Sequence, residues 1–228
     1  MSLGEWLFRW RLVVIVGAFA LAASLAAGDI GLVLGLRSLA SLIDLERVFL
    51  LTGPLCLVAF ALRLTGEARL GAVVYGQAAA PVVVTGGPFR FSRHPLYIGT
   101  WLFFVAATAP YLPPAVLAAL AVGFGSALLA IAHHEECALA DVHGENWARY
   151  ARSVPFVLGR ARGAVDDDGL APSARALGAA FLGNLFLLSL GLYRLWAGIA
   201  EPPAAVGLLN LTCLVLWMLV VVVRRLRH

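Results

Sequence analysis

Two polar clusters interrupt a very apolar chain, and their residue types are those of a small-molecule site. The first, residues 86–99 (GGPFRFSRHPLYIG), sets Arg90, Arg93 and His94 directly ahead of Pro95 and an apolar run. Pro95 suits the first turn of a helix, where its missing N–H costs nothing, and Gly86-Gly87 permits a sharp turn before it. The second, residues 131–155 (IAHHEECALADVHGENWARYARSVP), follows the next apolar run and carries Glu135 and Glu136. Together the clusters offer backbone donors at a helix start, an imidazole, aromatic rings and two carboxylates. Carboxylates suit an ammonium group, aromatic faces suit a purine or a cation, and a helix N-terminus suits a carboxylate. An amphiphilic cofactor with an amine and a purine matches this set.

The elements that must bring the clusters together are the apolar segments 95–110 and 113–132. Pro110, Pro113 and Pro114 lie at their junction and cannot continue a helix, so the two segments form a hairpin. Its arms, about 16 and 20 residues, return to the same depth, which sets His94 and Glu135 side by side at one membrane face. Taken singly, each residue has a plainer reading: Arg90 and Arg93 as interfacial anchors, and Phe89, Phe91 and Tyr97 as an aromatic belt. The pairing across the hairpin favours a site. No metal is expected there. His133, His134, Glu135 and Glu136 occupy consecutive helical positions about 100° apart and cannot converge on one ion, and no HxxxH or ExxH spacing accompanies them.

The wider chain is that of an integral membrane protein. Its 228 residues are 61% hydrophobic and 13% charged, with mean hydropathy +0.90, whereas soluble domains are about half apolar and a quarter charged. The expected fold is all-α, a polytopic helical bundle of about six transmembrane helices, at 12–28, 48–64, 95–110, 113–132, 176–199 and 204–223. The first lacks a small-residue cleavage site and reads as a retained span. Segment 30–43 is too short to span and reads as a surface helix or an extension of a neighbour. Cys56, Cys137 and Cys213 are too far apart for a disulfide framework or a CxxC site.

All seventeen basic residues are arginine. They are dispersed, which argues against nucleic acid as a partner. With both termini cytoplasmic, fourteen face the cytoplasm and only Arg37, Arg47 and Arg194 face away, the asymmetry that membrane insertion imposes. Residues 1–158 read as one core, 159–175 as a cytoplasmic linker, and 176–228 as an appended transmembrane hairpin. The run Asp166–Asp168 in the linker reads as solvated loop.

The residues themselves carry a resemblance. GPFRFSRHPLYIG closely resembles a signature of the isoprenylcysteine carboxyl methyltransferase family and its relatives, the phospholipid methyltransferases and NnrU-like membrane proteins: Gly-x-(Tyr/Phe)-x-x-x-Arg-His-Pro-x-Tyr-x-Gly. The second half of that signature is matched by Glu135-Glu136, Leu139, Gly144, Trp147, Tyr150 and Val154-Pro155, so the resemblance covers about residues 80–158. It implies a methyltransferase using S-adenosylmethionine (S-adenosyl-L-methionine) in a pocket at the cytoplasmic face of a bacterial or archaeal cell membrane. Carried over by position, the cofactor residues are Val83, Val84, Phe89, His94, Pro95, Leu96, Tyr97 and Glu135, with Glu136 a weaker candidate. Phe89 and Tyr97 border the adenosine, and Glu135 takes the amino group. The prenylcysteine enzymes carry an arginine one helical turn before that glutamate, suited to a substrate carboxylate; here the position is Ile131. His133, His134 and Arg152 are the candidate replacements. Trp147 also departs from the family's usual tyrosine.

No catalytic acid or base is assigned, because methyl transfer depends mainly on alignment of nucleophile, methyl and sulfur. The expected partners are the lipid bilayer and a lipophilic or small-molecule methyl acceptor. A transporter would carry charges or broken helices at mid-membrane, and the spans are nearly free of charge, with Asn184 and Asn210 the main polar intrusions. A non-catalytic membrane scaffold that keeps the same fold is the remaining alternative.

Overall fold

Four helices begin where a serine caps, or a proline lacks, one of the first backbone donors. Ser38 and Ser173 accept from the N–H groups of Ser41 (3.3 Å) and Ala176 (3.1 Å), and Pro95 and Pro114 each open a helix. A computed structural model describes residues 10–28, 33–75, 82–159, 168–210, 212–213 and 215. The helices are α1 (Arg11–Ala27), α2 (Leu39–Ile43), α3 (Leu45–Tyr75), α4 (Pro95–Thr108), α5 (Pro114–His143), α6 (Glu145–Ser153) and α7 (Ala174–Ala197), with a 3-10 turn at Gly87–Arg90. There is no strand among the described residues. Among the described residues, three helices are long and apolar enough to cross a membrane, at Leu45–Gly71 of α3, α5 and α7; α1 and α4 are shorter apolar helices.

The expected segments at 12–28, 95–110 and 176–199 correspond closely to α1, α4 and α7. Two others run further than their apolar stretches. The segment placed at 48–64 is the 31-residue α3, about 46 Å long. It continues past Arg63 and Glu67 because these pair with each other and with Asn184 of α7. The segment placed at 113–132 continues through the His133–Glu136 cluster to His143. The described part of segment 30–43 includes two helical residues, 33–34, and the five-residue α2. Of the sixth, residues 204–210 are helical; most of the rest lies outside the described residues, as do Arg9, Arg160, Arg162, Arg224, Arg225, Arg227, Asp166 and Asp167.

α3 is the central element, packed between α4 and α7. Phe104, Phe124, Leu128 and Ile131 form one buried cluster. Cys56, Ala59, Phe103, Ala106 and Leu187 form another, and Phe19 of α1 joins the two through ring contacts of 5.1 and 5.6 Å. Small residues permit this close helix packing, as in other apolar bundles. At Gly99 an added Cβ would lie 2.7 Å from Arg63 Cγ and 3.1 Å from the Ala59 carbonyl. The helices alternate in direction, so Arg11, Arg63, Arg69 and Arg93 gather near one end. Arg37 of the α2 approach and Arg194 gather at the other, where Leu39 N–H donates to the Leu112 carbonyl (3.2 Å).

Candidate functional site

The turn before α4 is held by main-chain bonds on both sides. Gly87 sits at φ +59°, and a Cβ on Gly86 would overlap the Arg69 guanidinium, so both glycines are required here. Phe89 offers its carbonyl to the Tyr150 hydroxyl (2.8 Å). Arg93 N–H donates to Pro155 O (3.1 Å), Gly159 N–H donates to Phe91 O (3.0 Å), and Ser92 Oγ caps His94 N–H (3.0 Å). The segment after α6 thus lies along the turn, and Phe156 packs its ring against His94 (4.9 Å) and under the Arg93 guanidinium (5.3 Å).

The same turn is clamped from the far side of α6. Asp168 accepts from the N–H groups of Thr85 (2.7 Å), Gly86 (2.8 Å) and Leu170 (2.9 Å) and pairs with Arg69 (3.1 Å). Its side chain is 1% exposed. This corrects the reading of Asp168 as solvated loop: the carboxylate is a buried tie between α3, the turn and the approach to α7. Burial pushes its pKa up, but the three backbone donors and Arg69 more than offset this and hold it below its ordinary value.

Glu135 and Glu136, adjacent on α5, face different surroundings. Glu136 Oε1 lies 2.9 Å from His94 Nε2 and 3.1 Å from Arg93 Nε. The Arg93 N–H is not aligned to donate, so that second contact is Coulombic. Burial lowers the His94 pKa, and the Glu136 bond and the two nearby carboxylates do not restore it. The imidazole is therefore neutral at pH 7; Nε2–H donates to Glu136, and the Nδ1 lone pair is left. Glu135 instead faces a cavity of about 410 Å³.

That cavity collects residues from both sequence clusters. Val83, Val84 and Phe89 line it from the turn, His94, Pro95, Leu96 and Tyr97 from the start of α4, and Glu135 from α5. Trp147 and Tyr150 of α6 and Arg11 of α1 also line it. So do Arg63 of α3 and Thr100 of α4, neither of which sequence reading singled out as a site residue. Glu136 is not among the lining residues. The structure does not bring His134 or Arg152 to the cavity either: His134 is half-buried one position round α5, and Arg152 pairs with Glu145 (2.6 Å) on the exposed side of α6. Ile131 is fully buried against Phe104 and Leu128, so that position presents nothing to a ligand. Among the described residues no three metal-ligating side chains converge.

A second space, about 430 Å³ and almost wholly apolar, opens between α4 and α5. Trp101, Leu102, Val122 and Leu129 line it, and it shares His94 and Tyr97 with the polar cavity. Trp101 is fixed by donation to the Ala121 carbonyl (2.8 Å) and packs where Gly125 lacks a side chain.

Residues 47–146 match a family model described as phospholipid methyltransferase. No curated protein and no solved structure gives a significant match. The matched stretch starts in α3, includes His94 and both glutamates, and ends at the first turn of α6. Over residues 47–146, then, the chain is similar to the phospholipid methyltransferases, membrane methyltransferases of the kind its two-part signature resembles.

Proposed function

We propose that the protein is an S-adenosylmethionine-dependent membrane methyltransferase acting on a lipophilic acceptor at the cytoplasmic face. The observation that carries this reading is that residues of the two distant clusters, with Val83 and Val84 just ahead of the first, line one cavity, which adjoins an apolar groove at His94 and Tyr97. The donor set fits the cofactor: a carboxylate at Glu135 for an ammonium group, and Phe89, Tyr97 and Trp147 for a purine. The volume lies within the range of about 300–1,000 Å³ usual for small-molecule sites. S-adenosylmethionine, when bound, supplies an electrophilic methyl group on a sulfonium. What the chain must add is alignment and exclusion of water, which together supply several kcal/mol.

In this reading Val83, Val84 and Pro95 form dry walls, Glu135 orients the amino group, and His94 closes the junction between cavity and groove. Glu136 fixes the His94 ring and Arg93 rather than touching the cofactor. The acceptor enters sideways from the bilayer between α4 and α5 and presents its head group at His94 and Tyr97. The neutral His94 Nδ1 would accept the proton that an amine acceptor loses when its lone pair takes up the methyl group. Arginine clustering at this end of the bundle supports its placement at the cytoplasmic face. Residues 1–158 supply every side chain that lines the cavity and the groove, so they form the methyltransferase core.

Calorimetric titration of the purified protein with S-adenosylhomocysteine tests the cofactor site. Glu135→Gln is expected to weaken binding about 10- to 100-fold, the loss of one charge-assisted hydrogen bond, and His94→Ala to weaken it less. Failure of the parent protein to bind sinks the proposal. Incubation with methyl-labelled cofactor and a membrane-lipid extract then identifies the acceptor, with lipid amines the first class to examine.

A further inference from the structure

Arg63 lies within an apolar span, where an arginine is costly and normally marks a function. It is held on three sides. Nε donates to Asn184 Oδ1 (2.7 Å), Nη1 donates to Thr100 Oγ1 (2.6 Å), and Nη2 donates to Glu67 Oε1. Asn184, fully buried, is itself fixed by donating to Glu67 Oε2 (3.0 Å) and the Ala180 carbonyl (2.8 Å). A guanidinium carries five N–H groups. These contacts engage three, and the side chain, 24% exposed, is among those that line the 410 Å³ cavity.

The neighbours of Arg63 give the cavity a charge pattern. Tyr97 and Thr100 lie three residues apart on one face of α4. Tyr97 contacts Glu135, and Thr100 contacts Arg63. A carboxylate therefore meets the first turn of α4, and a guanidinium meets the next turn, about 4.5 Å further along the axis. A carboxylate and a guanidinium flanking one stretch of wall complement the ammonium and carboxylate of an α-amino acid.

We infer that Arg63, oriented by Asn184 and Thr100, binds a carboxylate in the cavity and pairs with Glu135 to hold a zwitterionic amino-acid head, that of the methionine moiety of the cofactor. This rests on the cofactor reading above and deepens it. It also gives α7 a part in the site, since Asn184 lies outside the matched residues 47–146 and acts as a positioning residue.

The test compares two ligands in calorimetric titration of the full-length protein in detergent: S-adenosylhomocysteine and its decarboxylated analogue, which keeps the ammonium group. Arg63→Gln is expected to weaken S-adenosylhomocysteine binding about 10- to 100-fold while leaving the decarboxylated analogue within about twofold. Arg63→Lys should recover part of the loss, and Asn184→Leu should fall between parent and Arg63→Gln. A general structural defect would weaken both ligands together. If both ligands bind the variant as they bind the parent, the pairing of Arg63 with Glu135 on the cofactor is overturned, and a rise of at least about tenfold in the acceptor KM in the lipid-extract assay would assign the anion to the acceptor instead. If neither changes, the inference is overturned while the cofactor site stands. If the parent binds no S-adenosylhomocysteine, the cofactor reading falls and takes this one with it. Should Arg63→Gln fail to fold, the ligand ratio for Arg63→Lys against parent decides.

Discussion

Arg63 and Arg194 are both arginines on apolar helices, yet the protein treats them differently. Arg194, 1% exposed, reaches from the last turn of α7 to the Ala106 and Ala107 carbonyls (2.8 Å to Ala107). Its guanidinium also lies 5.5 Å from the Phe49 ring centre. The carbonyls at the end of α4 lack intrahelical donors and carry the negative end of the helix dipole, so Arg194 closes α4 with a charge from its neighbour. Arg63 is bound by side chains from three helices and faces a cavity. A buried cation spent on helix-end carbonyls holds the bundle together. One fixed by side chains beside open space is prepared for something else.

Three substitutions sharpen or break this contrast. Arg194→Met is expected to have the largest effect on stability: it removes two charge-assisted bonds and strands two carbonyls, about 3–5 kcal/mol in all. Thermal unfolding in detergent should show it as a clear drop in midpoint, while the folded fraction keeps its S-adenosylhomocysteine affinity. Loss of affinity on the scale expected for Arg63→Gln would erase the distinction between the two arginines.

Asp168→Asn stands between the two cases, because Asp168 is buried like Arg194 but ties down a cavity wall. It should cost about 2–3 kcal/mol and raise the cofactor KM more than it lowers kcat. Its folded pKa is depressed, so its contribution is present above the ordinary value near 3.8 and is lost as pH falls through the folded value. Acid unfolding of the variant should accordingly be less steep below about pH 4. Equal steepness in parent and variant would remove Asp168 from the acid response. Tyr150→Phe, the mildest, deletes only the bond to the Phe89 carbonyl and should cost about 1 kcal/mol. Chemical denaturation measures it, and a loss above that of Asp168→Asn would mean that α6, not the 168–170 segment, holds the turn.

What sequence reading could reach was set by the distance over which each signal acts. The hairpin was legible because its prolines and apolar runs are local, and arm lengths alone put His94 and Glu135 at one depth. Arg63 was not, because an arginine at the edge of an apolar run looks like the end of a span; its partner Asn184 is 121 residues away. Asp168 was misread because three consecutive aspartates resemble solvent-exposed chain, while its donors are backbone N–H groups 82 and 83 residues earlier. His134 and Arg152 have suitable chemistry, but helical phase turns each aside from the cavity that Glu135 and Tyr150 line. Fold class and the places of the first five spans followed from composition and the lengths of apolar runs, whereas the arrangement around the cavity depended on side-chain pairing between helices.

The shortness of α4 bears on the membrane around it. Its 14 residues extend only about 21 Å, against a hydrocarbon thickness of about 30 Å. Its partner α5 has 30 residues, about 45 Å. On the α4 side of the groove the apolar helix is therefore shorter than the hydrocarbon layer, a mismatch that bilayers relieve by thinning or tilting, at fractions of a kcal/mol per Å. In the proposed reading this would bring the head group of a neighbouring lipid closer to the level of His94.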